Sequence, residues 1–501
     1  MNGKTGDLQT RCIEAARRNN KLLRAFQTSW SDRIDDHCAQ TFEAEDRQEL
    51  CRFWGRQMAA ALAPENFLWA NPAAVKRLFD TEGESLSTGH ANWLRDAQEA
   101  NRMAALADRG SFQVGETLAV TPGAVVYRNR LMELIQYAPT TRSVHETPLV
   151  FIQPWINKYY ILDLTPANSM LAWLRDQGFL VFTVSWKNPD SSMRDVGFED
   201  YVFDGALEAV ERVRDITGRR AVHAVGFCIG GTALASLLAW LSNPVANPSR
   251  GAFGRSPVAH WTLLASLVDF SDPGELGLLV NADTLRMAEA LMEQEGFLDA
   301  AVSEFAFRLL RSDRLIWQPA ARSYLFGYAP PKSDVLYWNS DATRLPERML
   351  SFYLRAFYID NRLASPAGLE MKGRRLDLGD ISQPLYLVGC IQDHISPWTQ
   401  SLRIRDLVKS PMRFALSSEG HIAGIVNPPS QKSRRRFWAA PVEPPTDPLA
   451  WLAARDPQQG SWWPDWARWL AARCGPQVPA PDLGSEAYPP LCPAPGRYVL
   501  E

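Results

Sequence analysis

From residue 1 to about 105, apolar side chains recur at helical spacing. Leu8, Cys12, Ile13 and Ala16 mark one stretch and Leu50, Phe53, Trp54 and Met58 another, with Pro64 and Pro72 as breaks. The pattern predicts a helical N-terminal domain over residues 1–105. At Phe112 the period changes to two: F-Q-V-G-E-T-L-A-V, a Thr121-Pro122-Gly123 turn and A-V-V-Y-R predict a hairpin. Short apolar strands are then expected at Leu149 to Gln153, Leu180 to Ser185, Ala221 to Phe227, Trp261 to Val268, Leu385 to Ile391 and Arg413 to Leu416. Helical stretches separate several of them, which predicts an α/β domain over residues 106–501, with a mostly parallel sheet and helices on both faces.

The expected strand ending at Phe227 breaks at a thiol, in G-F-C-I-G-G-T (226–232), and the pattern resumes as a helix from Thr232 to Leu241. This reads as a nucleophile elbow with Cys228 in the nucleophile's place. Gly226 and Gly230 lie two residues to either side, where a sharp strand-to-helix turn leaves no room for a β-carbon. The competing reading is a buried structural cysteine, because free cysteine is among the most buried residue types. The rest of the constellation favours the first. An elbow of this type needs an acid and then a histidine, in that chain order. P-L-Y-L-V-G-C-I-Q-D (384–393) is an apolar strand ending in Asp393, and beyond the next strand His421 stands in E-G-H-I-A-G (419–424).

Seven histidines occur in the chain, which makes the choice of base a short one. His223 lies inside one apolar strand and His260 begins another, so both are expected to be structural. His37, His90 and His145 sit in polar surroundings away from strand ends. His394 competes with His421, but as the neighbour of Asp393 it is expected to point the other way and to have at most a supporting role.

The interval between Cys228 and Asp393 is far longer than one crossover needs. A cap insertion is expected over about 271–373, with helical stretches, Pro319, Pro330-Pro331 and the aromatic run Tyr353-Leu354-Arg355-Ala356-Phe357-Tyr358. Trp462, Trp466, Trp469 and Leu470 fall on one helical face and are expected to pack onto the core.

Composition narrows the function. With 501 residues and 46% hydrophobic content, the chain has ample material for a large core. A net charge of −3 argues against a nucleic-acid partner. The one basic run, Lys432 to Arg436, reads as a solvated loop or as a contact for phosphate groups. The seven cysteines are an odd number without a C-x-x-C pair, so neither a disulfide framework nor a zinc site is expected. No apolar run approaches the roughly 20 residues needed to cross a bilayer, and the first ten residues lack an apolar signal core. A reducing cytoplasm, where a free thiol survives, is the expected location.

Several motifs together resemble the polyhydroxyalkanoate synthases, in particular the class I, short-chain type. They are T-P-G-A-V-V-Y-R-N-R-L-M-E-L-I-Q-Y (121–137), P-W-I-N-K-Y-Y-I-L-D-L (154–164), G-F-C-I-G-G-T (226–232), L-Y-W-N-S-D (336–341), D-H-I-S-P-W (393–398), G-H-I-A-G-I-V-N-P-P (420–429) and G-S-W-W-P-D-W (460–466). The resemblance runs from about residue 60 to the end. It implies an α/β-hydrolase fold and polymerisation of hydroxyacyl-coenzyme A, with Cys228 as nucleophile and Asp393 and His421 as its partners. It also implies a homodimer associated with polymer granules and granule proteins. Two departures stand out. Trp317 to Leu325 replaces an Asn-rich stretch usual in the family, and Ser417-Ser418-Glu419 replaces a Gly-rich approach to the histidine.

The chemistry expected is acyl transfer without cofactor, the coenzyme A thioester being the substrate. A thiol exchanging with a thioester keeps the acyl group activated. A free thiol, with a pKa of about 8.5, is only a few per cent ionised at neutral pH and needs a base. His421 is expected to serve, with Asp393 fixing its tautomer. The Ile229 N–H is expected as one oxyanion donor, and the loop Trp155-Ile156-Asn157, specifically Ile156, as the source of the second. The incoming hydroxyl could be activated by His421 or by Asp393. Two other readings use the same residues: a cysteine-dependent hydrolase of the dienelactone-hydrolase or thioesterase kind, and a non-catalytic granule-associated protein.

Overall fold

A computed structural model describes residues 2–243 and 256–501. Eleven strands form its main sheet: β1 Gly123–Arg128, β2 Met132–Tyr137, β3 Leu149–Ile152, β4 Val181–Trp186, β5 Val222–Phe227, β6 Val258–Leu264, β7 Leu385–Cys390, β8 Met412–Ser417, β9 Arg436–Val442, β10 Gln458–Gln459 and β11 Cys492–Pro493. Their order is β10-β9-β8-β7-β6-β5-β3-β4-β2-β1-β11. The run from β8 to β4 is parallel, and antiparallel strands extend it at both edges. Strands β3, β4, β5 and β7 are buried at every position, as expected of strands covered on both faces.

The expected hairpin is displaced. Its strands are β1 and β2, on either side of Asn129-Arg130-Leu131, and residues 112–120 form no strand. Side-chain chemistry decides the turn, because Asn129 Oδ1 accepts the N–H groups of both Leu131 and Met132 at 2.8 Å. Strand β9 was not expected either. Its R-F-W-A-A-P-V sequence contains a proline, which an edge-side antiparallel strand tolerates.

Contacts divide the chain into two compact units, residues 1–111 with 300–340, and 112–299 with 341–501. Residues 300–340, expected within the cap, therefore belong to the helical unit. Gly89, on the helix Glu84–Asp96, shows how closely they join it. A β-carbon there would lie 2.0 Å from the Tyr324 carbonyl oxygen. Around this approach Tyr324 OH donates to Asp96 at 3.2 Å, and the buried Arg308, paired with Glu304, donates to the Ala104 carbonyl at 3.0 Å.

The helices Asn2–Thr41 and Glu45–Ala61 follow one another in the same unit. Contrary to expectation they carry a disulfide, Cys38–Cys51, with Cα atoms 5.8 Å apart. The short turn between the helices folds one back along the other, so cysteines well separated in sequence meet. Pro72 opens the helix Pro72–Asp80, which Asn71 caps by accepting the Ala74 N–H.

Candidate active site

Parallel sheets place functional groups at the carboxyl ends of their strands. Cys228 directly follows β5 and precedes the helix Ile229–Ser242, with φ 51° and ψ −126°. A non-glycine residue rarely adopts such a backbone, and its persistence means the surroundings over-determine it. The constraints are visible. Cys228 N–H donates to the Leu264 carbonyl at 2.9 Å, and the Cys228 carbonyl accepts the Gly231 N–H at 2.9 Å. A β-carbon on Gly226 would lie 2.4 Å from Gly231 Cα, and one on Gly230 would lie 2.3 Å from the Ile152 carbonyl oxygen. Both glycines are thus required by backbone approach. At Gly231 a β-carbon would instead meet a side chain, Ser266 Oγ at 2.1 Å.

Asp393 follows the end of β7, and His421 lies on the loop after β8. The two meet at 2.6 Å, Asp393 Oδ2 to His421 Nδ1, both groups buried. The other carboxylate oxygen accepts the N–H groups of Ile395 and Ser396, each at 2.8 Å. Asp393 therefore aims at His421 with no rotational freedom left. The His421 ring stacks on Phe227, the residue before Cys228, with centroids 5.7 Å apart. Burial by itself would lower the imidazole's pKa. The Asp393 charge and hydrogen bond, aided by a hydrogen bond with Cys228, overcome this and raise it to about 10. Cys228, His421 and Asp393 thus form one contiguous relay.

His394 is half-buried next to the acid, and it is His421 that the acid's carboxylate engages. Ile229 is 2% exposed and opens the helix after Cys228. Ile156 sits on the loop after β3, the strand whose end presses against Gly230. Among the described residues no group of three His, Cys, Asp or Glu side chains is placed to hold a metal ion. No helix among them is long and apolar enough to cross a membrane.

Residues 16–174 match the family described as poly-beta-hydroxybutyrate polymerase N-terminus, and residues 147–428 match the alpha/beta hydrolase fold family. The chain is 40% identical over 463 residues to the poly(3-hydroxyalkanoate) polymerase subunit PhaC of Cupriavidus necator, covering 91% of this chain and 76% of that protein. It belongs to the poly(3-hydroxyalkanoate) polymerase family. Poly(3-hydroxyalkanoate) polymerase 2 of Ectopseudomonas oleovorans is 40% identical over 457 residues, covering 91% of this chain and 79% of that one. The polymerase of Methylorubrum extorquens is 37% identical over 458 residues, covering 91% and 74%. As a member of this polymerase family the protein is an acyltransferase built on the α/β-hydrolase fold.

This polymerase also places around these three residues groups to which the sequence assigned no part in the site. Tyr353 and Tyr358, on the helix Glu347–Tyr353 and the π-helical turns Leu354–Ile359, hydrogen-bond to each other. Burial raises the pKa of both phenols, and the charge of Cys228 adds to the effect. The aromatic run that suggested a cap was the signal for them. Trp462 and Trp463 donate their indole N–H groups to the carbonyls of Gly424 (2.8 Å) and Ile425 (2.9 Å), bracing the loop that carries His421. Arg435, from the basic run, caps the same loop by donating to the Ala423 and Val426 carbonyls at 3.0 Å each. Sequence offered no signal that these side chains converge on one loop.

Proposed function

We propose that the protein polymerises (R)-3-hydroxyacyl-coenzyme A, short-chain substrates such as the 3-hydroxybutyryl thioester foremost, through an acyl group carried on Cys228. The observation that supports this reading best is the 2.6 Å contact between Asp393 and His421 beside a cysteine held at positive φ. Loading begins when His421 accepts the thiol proton and the sulfur attacks the thioester carbonyl. The Ile229 and Ile156 N–H groups stabilise the resulting oxyanion. Collapse breaks the bond to the coenzyme A sulfur, which leaves with the proton from His421. In the second half, the hydroxyl of another hydroxyacyl group gives its proton to His421, its oxygen attacks the carbonyl, and the bond to Cys228 breaks as the ester forms. His421 is the better base for this step because both oxygens of Asp393 are already engaged.

Ester formation from a thioester is downhill, so elongation needs no further energy source. The remaining basic residues of the run, Lys432, Arg434 and Arg436, are exposed and suit contacts to coenzyme A phosphates. On this reading the enzyme works as a homodimer in the cytoplasm, at the surface of the insoluble polymer, alongside granule proteins.

The test is direct. Purified enzyme given 3-hydroxybutyryl-coenzyme A is expected to release coenzyme A thiol and turn turbid, and Cys228→Ala to do neither. Soluble hydroxy acid as the sole product would make the protein a hydrolase, and full activity in Cys228→Ala would remove the acyl-cysteine.

A further inference from the structure

Trans peptide geometry sets the carbonyl and N–H of one peptide unit in opposite directions. Whatever holds the Trp155 carbonyl therefore also aims the Ile156 N–H, the second oxyanion donor in the reading above. One residue, Thr343, holds that carbonyl. Its hydroxyl donates to the Trp155 carbonyl at 2.6 Å, and its N–H donates to the Ile156 carbonyl at 3.2 Å. The neighbouring Ala342 forms an antiparallel bridge with Asn157. Asp341 completes the clamp, ion-paired with Lys158 at 3.0 Å and accepting from Tyr160 OH at 2.7 Å. Thr343 is 5% exposed, and Trp155 is fixed on its other side by stacking on Tyr201 with centroids 4.2 Å apart. The Ile156 N–H itself has no acceptor among the described residues.

We propose that Thr343 is a positioning residue for acyl transfer: by gripping two successive carbonyls with its hydroxyl and its N–H, it turns the Ile156 N–H toward the oxyanion. Asp341 and Ala342 hold Thr343 in place for this task. The arrangement is economical in its geometry, since a carbonyl fixed on one side leaves its peptide's donor a single direction. The inference rests on the acyl-cysteine reading.

The test compares Thr343→Val, Thr343→Ala and Thr343→Ser. Deleting an oxyanion donor outright costs about 10²–10³ in kcat, so a donor left in place but misdirected is expected to cost about 10–100-fold. Thr343→Val should show that loss in kcat with KM for 3-hydroxybutyryl-coenzyme A unchanged, and Thr343→Ser, which keeps the hydroxyl, should recover most of it. Alkylation of Cys228 by iodoacetamide forms no oxyanion and should proceed at the wild-type rate in all three. Thr343→Ala decides the matter if valine at this buried position prevents folding. An undiminished kcat overturns the proposal, as does a parallel loss of alkylation, which would mean a general disturbance of the site. Wild-type turnover in Cys228→Ala would instead overturn the acyl-cysteine reading, a result the Thr343 variants cannot mimic.

Discussion

Three histidines are buried against the same sheet, yet one has its pKa raised and two have theirs lowered. His223 is 0% exposed, His260 5% and His421 7%, so burial does not distinguish them. Partners do. His421 faces the Asp393 carboxylate, and its pKa rises to about 10 against the cost of burial. His223 and His260 face each other, with Nδ1 atoms 2.5 Å apart. Burial lowers the pKa of both, His260 to about 4, with the Arg473 charge adding to the effect. Their hydrogen bonds leave no place for another proton. His260 Nε2–H donates to the Arg473 carbonyl at 3.2 Å, so its Nδ1 accepts from His223 Nδ1–H. His223 Nε2 then accepts from the Thr262 hydroxyl at 2.9 Å, which in turn accepts from Trp466 at 3.0 Å. The same side chain is a strong base in one place and a neutral hydrogen-bonding element in the other, and a single carboxylate makes the difference.

Removing that carboxylate should break the contrast most severely. Asp393→Asn keeps the shape of the acid while deleting its charge, and it lets an amide N–H face Nδ1, which favours the wrong tautomer. A loss in kcat of about 10³–10⁴-fold is expected, the size seen when a triad acid is neutralised. The His421 pKa should also fall, because only the contact with Cys228 then opposes burial. The pH dependence of Cys228 alkylation reads this, and a profile unchanged from the wild type would show that Asp393 does not control the imidazole.

The neutral pair predicts a pH effect of opposite sign. An unfolded histidine titrates near pH 6.5 (about 6.5 by model peptides), whereas folded His260 stays neutral until about pH 4. Between those values the unfolded chain binds more protons, so stability falls as the pH drops, by up to about 1.4 kcal/mol per pH unit for each histidine. For His421 the raised pKa means stability that is present below the unfolded value and lost as pH rises through about 10. Urea unfolding at pH 7 and pH 5 should show the acid loss in the wild type and a smaller one in the double variant His223→Phe with His260→Phe. His260→Phe alone should cost about 1–3 kcal/mol at pH 7, because it strands the His223 Nδ1–H. Equal acid slopes in wild type and double variant would assign the effect to other groups.

These contrasts were only partly legible in the sequence. The order of cysteine, aspartate and histidine after successive strands, with glycines around the thiol, carries its own geometry, because each residue's place follows from the strand before it. His223 and His260 could be read as structural from the apolar strands around them, whereas their mutual contact depends on the register between β5 and β6, which local pattern does not encode. The same limit hid Thr343 behind the Trp155 loop and the docking of residues 300–340 with the helical unit. The displaced hairpin has a different origin: period-two alternation marked residues 112–120 as a strand, but the side chain of Asn129 determined where the chain turned. Cys38 and Cys51 pair because two helices fold back on each other, and cysteine spacing alone does not announce that.

The smallest predicted effects come from the helix Trp463–Ala471, which with the preceding Trp462 braces both regions. Its first tryptophans, Trp462 and Trp463, hold carbonyls of the His421 loop, while Trp466 feeds the proton chain of the neutral pair and Trp469 packs edge-on against both its rings. Trp462→Phe removes one donor and leaves the Gly424 carbonyl unpartnered, at a cost of about 1–3 kcal/mol. Because that carbonyl lies three residues beyond His421, kcat should also fall, by about tenfold or less, with KM unchanged. Trp466→Phe removes a donor of the same kind, but its hydrogen bond ends on Thr262, far along the chain from any reacting group. Its cost should appear in urea unfolding and in the acid slope, with kcat close to wild type. Should both variants lose activity in proportion to stability, the helix acts as one rigid brace and the two histidine environments are mechanically coupled; a split between them shows that each tryptophan serves the imidazole it faces.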